Sequence, residues 1–124
     1  ILDVYKILSV LKNFLRKRIT EYYRMTWKKI AEKNTISDNS GKEFDIDGKK
    51  IAIFNHDGYH ALDALCAHQD SSIATGKLDG DIVECPSHFW HYNIKTGDLK
   101  DYLKGVKLQT YPVEERDDGI YVDL

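Results

Sequence analysis

Cys66-Ala67-His68 and Cys85-Pro86-Ser87-His88 are the two stretches on which the interpretation of this sequence depends. Each stretch offers one thiolate and one imidazole, and residues 69–84 separate them. Cysteine and histidine are the side chains that proteins use to bind zinc and iron–sulfur clusters. The order Cys-His followed by Cys-His predicts two loops that bring the same pair of ligands to one metal centre.

Two kinds of metal centre can use this ligand set. A zinc site of two cysteines and two histidines usually has its cysteines close together and its histidines close together further along the chain. In a [2Fe-2S] cluster each iron already binds two sulfides, so tetrahedral geometry requires four protein ligands in total. The interleaved order favours the cluster, with Cys66 and Cys85 on one iron and His68 and His88 on the other. Zinc and a chance grouping of unrelated residues stay open as alternatives.

The flanking sequence predicts an all-β, antiparallel sandwich or small barrel. After about residue 34, short runs rich in Val, Ile, Phe and Tyr alternate with turn residues. Asp-Gly supplies the positive φ angles of tight hairpins, so we expect residues 50–54 to pair with residues 43–46 and with residues 59–62. Residues 108–113 should pair with residues 120–123. The Asp-Gly pairs are Asp47-Gly48, Asp57-Gly58, Asp79-Gly80 and Asp118-Gly119.

The first 24 residues form a different kind of segment. Their apolar residues recur mostly at intervals of three and four, which predicts an amphipathic helix. The segment carries six Lys and Arg against Asp3 and Glu21. Three interpretations stay open: an extension outside the β domain, a helix docked on that domain, and weak contact with an anionic membrane surface. We therefore expect a helical extension at residues 1–24 and one β domain at residues 25–124.

Composition restricts the remaining possibilities. The chain has 124 residues, of which 42% are hydrophobic and 31% charged, as in one ordinary globular domain. It contains no stretch of about 18 apolar residues, so we expect a soluble protein without a transmembrane span. Two cysteines used as ligands leave none for a disulfide, which fits the cytoplasm. The acidic residues of the β domain argue against nucleic-acid binding and suit docking on a basic patch of a partner protein.

From about Trp27 to Leu124 the chain resembles the Rieske proteins, a family of [2Fe-2S] proteins. The resemblance implies an antiparallel Rieske-type sandwich with a cluster-binding subdomain at about residues 64–97. It also implies that Cys66, His68, Cys85 and His88 bind a Rieske-type [2Fe-2S] cluster. The further family motifs are Ala61-Leu62-Asp63, Gly76-x-Leu78-x-Gly80, Val83-x-Cys85-Pro86, Tyr92-Asn93-Ile94, Thr96-Gly97 and Tyr111-Pro112-Val113.

The ligand loops also depart from the family pattern. Asp70 and Ser72 stand where Gly and Pro are common, and Phe89 stands where a Gly usually follows the second His. A phenylalanine at positive φ is unfavourable, so we expect either a shifted loop or backbone strain at Phe89. Alternation along the following strand should turn His91 away from the ligands, so we do not expect it to bind metal.

The resemblance further implies a tuning residue. High-potential relatives have a tyrosine at the position of Tyr92, and we expect its hydroxyl to donate a hydrogen bond to a ligand sulfur, that of Cys66. Tyr92 is therefore counted among the cofactor-binding residues. The serine of those relatives is replaced by Trp90.

The branch of the family determines the expected function. Respiratory-chain Rieske proteins have an additional cysteine in each loop and a membrane anchor. Oxygenase subunits of the family have a large second domain after the Rieske domain. This sequence shows the features of neither branch. It is most similar to free-standing ferredoxins, in particular soluble archaeal ones such as sulredoxin. The resemblance implies a one-electron carrier, not an enzyme, that moves electrons from a reductase to an oxygenase or other acceptor. The alternative is a redox-sensing or structural metal-binding module that regulates a partner.

Overall fold

A computed structural model describes residue 12 and residues 27–67, 71–87, 89–101 and 103–124. Within these residues the chain forms ten β-strands. The same residues contain no helix that is long and apolar enough to cross a membrane. The helix predicted for residues 1–24 lies outside the described residues, apart from position 12. The strands are β1 (Trp27–Ala31), β2 (Ser40–Ile46), β3 (Lys49–Asn55), β4 (Tyr59–Asp63), β5 (Lys77–Asp79), β6 (Ile82–Glu84), β7 (His91–Asn93), β8 (Thr110–Tyr111), β9 (Val113–Arg116) and β10 (Gly119–Asp123).

The described strands form three antiparallel sheets, which confirms the predicted all-β class. Their strand orders are β1-β10-β9, β2-β3-β4-β8 and β5-β6-β7. Asp47 and Gly48 connect β2 to β3 with φ angles of 52° and 83°, and the next reversal uses Asp57 and Gly58 at 51° and 91°. These are the left-handed conformations that tight hairpin turns require. The Asp-Gly signal therefore placed both reversals of the middle sheet correctly.

The predicted pairing of residues 108–113 with residues 120–123 is wrong in part. Thr110 and Tyr111 form β8 and pair with β4 in the middle sheet. Of residues 108–113, only Val113 pairs with β10, as the first residue of β9. The chain passes from one sheet to the other at Pro112, which has no N–H for a ladder, and the Pro112 carbonyl accepts a hydrogen bond of 3.0 Å from the Asp123 N–H.

Strand β3 lies between two cores and is buried on both faces. Successive side chains of a strand point in opposite directions. Ile51 and Ile53 therefore pack on one side and Ala52 and Phe54 on the other. The first side is the base core, which also contains Ala31, Ile36, Ile46, Ala61, Ile120 and Val122.

The second side of β3 faces the loop core, which connects the middle sheet to the sheet β5-β6-β7. Cys66, Cys85 and Tyr92 belong to this core and are 4%, 1% and 0% exposed. The fold thus places both predicted cysteine ligands and the predicted tuning tyrosine in one apolar cluster. Its other members are Leu62, Ala64, Ile73, Ala74, Val83, Ile94, Leu99 and Leu108.

Candidate metal centre

Cys66 lies in the first ligand loop, residues 64–76, which begins directly after β4. The Cys66 N–H donates to the Ser71 carbonyl at 2.8 Å, and the Ile73 N–H donates to the Ala64 carbonyl at 2.8 Å. Leu65 and Ser72 form an antiparallel bridge between these bonds. The loop is therefore closed at its base, and the thiol of Cys66 is fixed by the backbone around it.

Cys85 begins the second ligand loop, residues 85–90, directly after β6. Its N–H donates to the Trp90 carbonyl at 2.7 Å, and the Phe89 N–H donates to the Cys85 carbonyl at 2.9 Å. Both backbone polar groups of the cysteine thus take part in closing the loop. This arrangement presents the thiol to the loop core rather than to solvent.

Two contacts join the ligand loops to each other. The Ser71 and Ser87 hydroxyls form a hydrogen bond across the gap between the loops. In addition, Gly76 packs so closely on the strand before Cys85 that a Cβ at this position would lie 2.0 Å from the Glu84 carbonyl oxygen. The Gly76 motif found in the sequence therefore has a steric cause, because only glycine leaves room for that backbone.

The other two predicted ligands, His68 and His88, lie outside the described residues. Within the described ranges alone, no three Cys, His, Asp or Glu side chains come together as a metal site. The described part of the chain thus contributes two buried thiols, those of Cys66 and Cys85.

Tyr92 makes the hydrogen bond that was predicted from the sequence. Its hydroxyl oxygen lies 3.0 Å from the Cys66 sulfur and 3.0 Å from the Ala67 nitrogen. Because the Ala67 N–H can only donate, the hydroxyl accepts from Ala67 and its own proton is directed to the sulfur. Burial, followed by this contact with Cys66, raises the pKa of the Tyr92 hydroxyl well above its ordinary value. The group therefore stays protonated and remains a donor at physiological pH.

The two residues before Tyr92 have contacts of their own. The His91 N–H and ring Nδ1 lie 2.6 and 2.8 Å from one Asp101 carboxylate oxygen, so His91 is held by Asp101. Trp90 is half-buried and packs against the loop core. The sequence offered no signal for Asp101 or for the Ser71–Ser87 contact, because both join segments that are distant along the chain.

Phe89 is strained, which is one of the two outcomes expected for it. Its φ angle is 63°, in the left-handed region that disfavours residues other than glycine. The loop thus keeps the backbone that a glycine would adopt, although a phenylalanine occupies the position. The side chain is 62% exposed, so packing against the loop core does not explain its presence.

The chemistry of this donor set fits an iron–sulfur cluster. Two thiols stand on two loops in an apolar, well-packed environment, and one of them receives an O–H donor from a neutral tyrosine. Hydrogen bonds to ligand sulfurs and restricted solvent access are the features that tune such clusters.

Comparisons with known proteins agree with this chemistry. Residues 26–112 match the family model of the Rieske [2Fe-2S] domain. The biphenyl dioxygenase ferredoxin subunit of Pseudomonas sp. strain KKS102 is 32% identical over 102 residues, which are 81% of this chain and 94% of the relative. The 3-phenylpropionate/cinnamic acid dioxygenase ferredoxin subunit of Photorhabdus laumondii is 39% identical over 76 residues, 60% of this chain and 72% of the relative.

Solved structures show the same fold. The Sphingomonas yanoikuyae B1 ferredoxin superposes with a TM-score of 0.71 at 27% identity, over 78% of this chain and 97% of that one. A second similar structure is a chain in the complex of reduced oxygenase and oxidised ferredoxin of carbazole 1,9a-dioxygenase. It superposes with a TM-score of 0.72 at 27% identity, over 79% of this chain and 93% of that one. The narrower resemblance to archaeal ferredoxins stays a prediction, since both relatives compared above are bacterial.

The family match spans more than half of the chain, and the Pseudomonas relative is matched over almost its full length. The loop pair, the buried thiols and the tyrosine donor agree with it. The chain therefore belongs to the Rieske [2Fe-2S] family, and as a ferredoxin of that family it carries a Rieske-type cluster and transfers electrons rather than catalysing a reaction itself.

Proposed function

We propose that this chain takes single electrons from a reductase and passes them to the oxygenase component of a dioxygenase system in the cytoplasm. Cys66 and Cys85 would bind one iron of the cluster, and His68 and His88 would bind the other. The observation that carries the proposal is the Tyr92 hydroxyl directed at the Cys66 sulfur inside the loop core. When bound, the cluster supplies a one-electron couple, and residues 25–124 form the domain that holds it.

The ligand set determines the range of the reduction potential. A diferric core with two sulfides and two thiolates has no net charge, whereas an all-cysteine site carries two more negative charges. An electron is therefore accepted more easily here, and Rieske centres span roughly −150 to +300 mV against about −400 mV for plant-type ferredoxins. This range suits an intermediate carrier between a reductase and an oxygenase.

Support for the acceptor comes from the relatives. Both curated relatives are ferredoxin subunits of dioxygenases, and one similar structure contains an oxygenase together with its ferredoxin.

The proposed function is tested by measuring electron transfer to and from this protein. The dithionite-reduced protein should be reoxidised by the biphenyl dioxygenase oxygenase component, with one electron delivered per chain, and reduced again by the reductase component and NADH. A redox-sensing or structural module would stay reduced in the mixture with the oxygenase and would stay oxidised in the mixture with the reductase and NADH.

We expect Tyr92→Phe to lower the reduction potential by roughly 40 mV, because the hydrogen bond to Cys66 favours the more electron-rich reduced state. A neutral hydrogen bond contributes about 1 kcal/mol, and for the transfer of one electron this free energy corresponds to roughly 40 mV. Redox titration of the wild-type and variant proteins under one set of conditions measures the shift. Tyr111→Phe is the matched control, since Tyr111 donates to Asp63 at 2.7 Å and to neither sulfur. Equal potentials for Tyr92→Phe and wild type would show that Tyr92 only fills the core.

We expect deletion of residues 1–24 to leave the iron content and the potential unchanged. The family match begins at residue 26, and the described strands begin with β1 at Trp27. Iron analysis and redox titration of the shortened chain check this expectation, and loss of the cluster would show that the segment is integral to the domain. Any weak membrane contact belongs to the same segment, so binding to anionic phosphatidylserine vesicles should disappear with the deletion.

A further inference from the structure

Strand β7 is hydrogen-bonded along both of its edges. On one edge Tyr92 pairs with Val83 of β6, and on the other edge Tyr92 forms an antiparallel bridge with Leu99. The next two residues along this bridge, His91 and Lys100, lie opposite each other. In an antiparallel ladder such a pair exchanges two backbone hydrogen bonds. The Lys100 N–H donates to the His91 carbonyl at 2.8 Å, as this pattern requires, but the His91 N–H donates to a side chain.

That side chain is the carboxylate of Asp101. Its Oδ2 accepts the His91 N–H at 2.6 Å and lies 2.8 Å from ring Nδ1 of the same histidine. Because an ionised carboxylate can only accept, Nδ1 carries a proton and donates as well. Hydrogen bonds to an ionised acceptor are roughly twice as strong as neutral ones. Asp101 therefore holds the first residue of β7 more firmly than a backbone carbonyl would.

The segment that carries Asp101 is itself anchored. Leu99 is 8% exposed and belongs to the loop core, and its N–H donates to the Val106 carbonyl at 3.0 Å. Asp98 forms an antiparallel bridge with Lys107. The side chain of Asp101 is 27% exposed, so most of it is shielded from water. The carboxylate thus has a defined position relative to the loop core.

The position of His91 matters because of the residue that follows it. Tyr92 is completely buried, and its hydroxyl lies 3.0 Å from the Cys66 sulfur at the far end of a rigid side chain. A shift or rotation of the backbone at the start of β7 therefore moves that hydroxyl. Hydrogen bonds weaken steeply as their angle departs from linear. The contact with the sulfur is thus sensitive to what holds the start of β7.

Resting on the proposed function and on the role of Tyr92 in it, we propose that Asp101 is a positioning residue for the cluster. Its carboxylate holds the start of β7 so that the Tyr92 hydroxyl is directed at the Cys66 sulfur. The negative charge of Asp101 has a separate and opposite effect, because it disfavours the added electron. Neutral replacements of the same shape separate the two effects.

The test compares the reduction potentials of Asp101→Asn and Asp101→Leu. Both replacements are neutral and similar in shape, but only asparagine has an oxygen that can accept the His91 N–H. We expect the potential of Asp101→Leu to lie below that of Asp101→Asn by about half of the shift that Tyr92→Phe produces, because the hydroxyl is retained but less well aligned. Equal potentials for the two variants overturn the proposal.

The same two replacements are then made in Tyr92→Phe, which has no hydroxyl to direct. Their potentials should be equal in this background. A difference as large as that in the protein with Tyr92 overturns the proposal, because Asp101 would then act by another route.

The matched control is Asp98, which bonds to β7 through its backbone. The Asp98 carbonyl accepts the Asn93 N–H at 2.9 Å, and its side chain is exposed. Asp98→Asn and Asp98→Leu should therefore have one potential. A difference equal to that found at Asp101 also overturns the proposal.

Further outcomes separate this proposal from the others. If Asp101→Leu does not hold the cluster, Asp101→Ala, which adds no apolar bulk, is compared with Asp101→Asn in the same way. If Tyr92→Phe has the potential of wild type, the role of Tyr92 is wrong and the positioning role with it. If Tyr92→Phe lowers the potential while the asparagine and leucine variants agree, only the positioning role is wrong. Failure to exchange electrons with the reductase and oxygenase components contradicts the proposed function alone, since the potentials are titrated with small mediators.

Discussion

We expect His88→Cys to lower the reduction potential of the protein by about 100 mV or more, provided that the cluster survives. Exchange of a neutral imidazole for a thiolate would add one negative charge at the iron that the histidines bind and would make the reduced state less favourable. The least positive Rieske centres lie about 250 mV above plant-type ferredoxins, which differ by two such exchanges, so one exchange accounts for roughly half of that interval. His68→Cys should act in the same direction.

The matched control is His60→Cys. His60 lies on β4, where its ring Nε2 is 3.2 Å from the Asp57 carbonyl oxygen, and it is not part of the proposed ligand set. Its replacement should leave the potential unchanged, so a general effect of an added cysteine can be recognised. A potential for His88→Cys that is equal to or above that of wild type would contradict the assignment of His88 as a ligand.

Gly76→Ala should destabilise the protein by about 3 kcal/mol and reduce the iron bound per chain. The added Cβ would lie 2.0 Å from the Glu84 carbonyl oxygen and 3.0 Å from that of Ile73. Both are backbone atoms, so the strand before Cys85 has to move, and with it the second ligand loop. Denaturant unfolding gives the free energy, and iron analysis gives the cluster content.

Gly80→Ala is the control for the steric argument. Gly80 lies in the turn between β5 and β6 with a φ of 58°, and an added Cβ there meets nothing within 4 Å. Its replacement should therefore cost only the backbone strain, about 1 kcal/mol, and leave the iron content unchanged. If Gly76→Ala behaves like Gly80→Ala, the close packing of Gly76 on Glu84 does not control the second loop.

Much of the fold could be predicted because its signals are local. Asp47-Gly48 and Asp57-Gly58 take the positive φ angles that reverse the chain. The run Ile51-Ala52-Ile53-Phe54 has no polar residue because β3 separates two cores and has no solvent face. Periodicity alone could not show that residues 108–113 divide between two sheets, since both halves carry the same strand-forming composition.

In the candidate site, the two buried cysteines and the Tyr92 hydrogen bond could be predicted, because each belongs to a short motif with a chemical reason. The binding of iron by Cys66, Cys85, His68 and His88 stays a proposal. The contacts that hold the ligand loops in place could not be predicted. The Ser71–Ser87 bond, the hold of Asp101 on His91 and the close packing of Gly76 on Glu84 all join segments far apart along the chain.

The central claim is that two histidine nitrogens and two cysteine sulfurs bind one [2Fe-2S] cluster in this chain. Its most direct measurement is pulsed electron paramagnetic resonance of the dithionite-reduced protein, recorded for wild type, His68→Cys and His88→Cys. We expect one paramagnetic cluster per chain that couples to two nitrogens of directly bound imidazoles in wild type and to one in each variant. A diamagnetic zinc protein, or a cluster that shows no directly bound nitrogen, would contradict it.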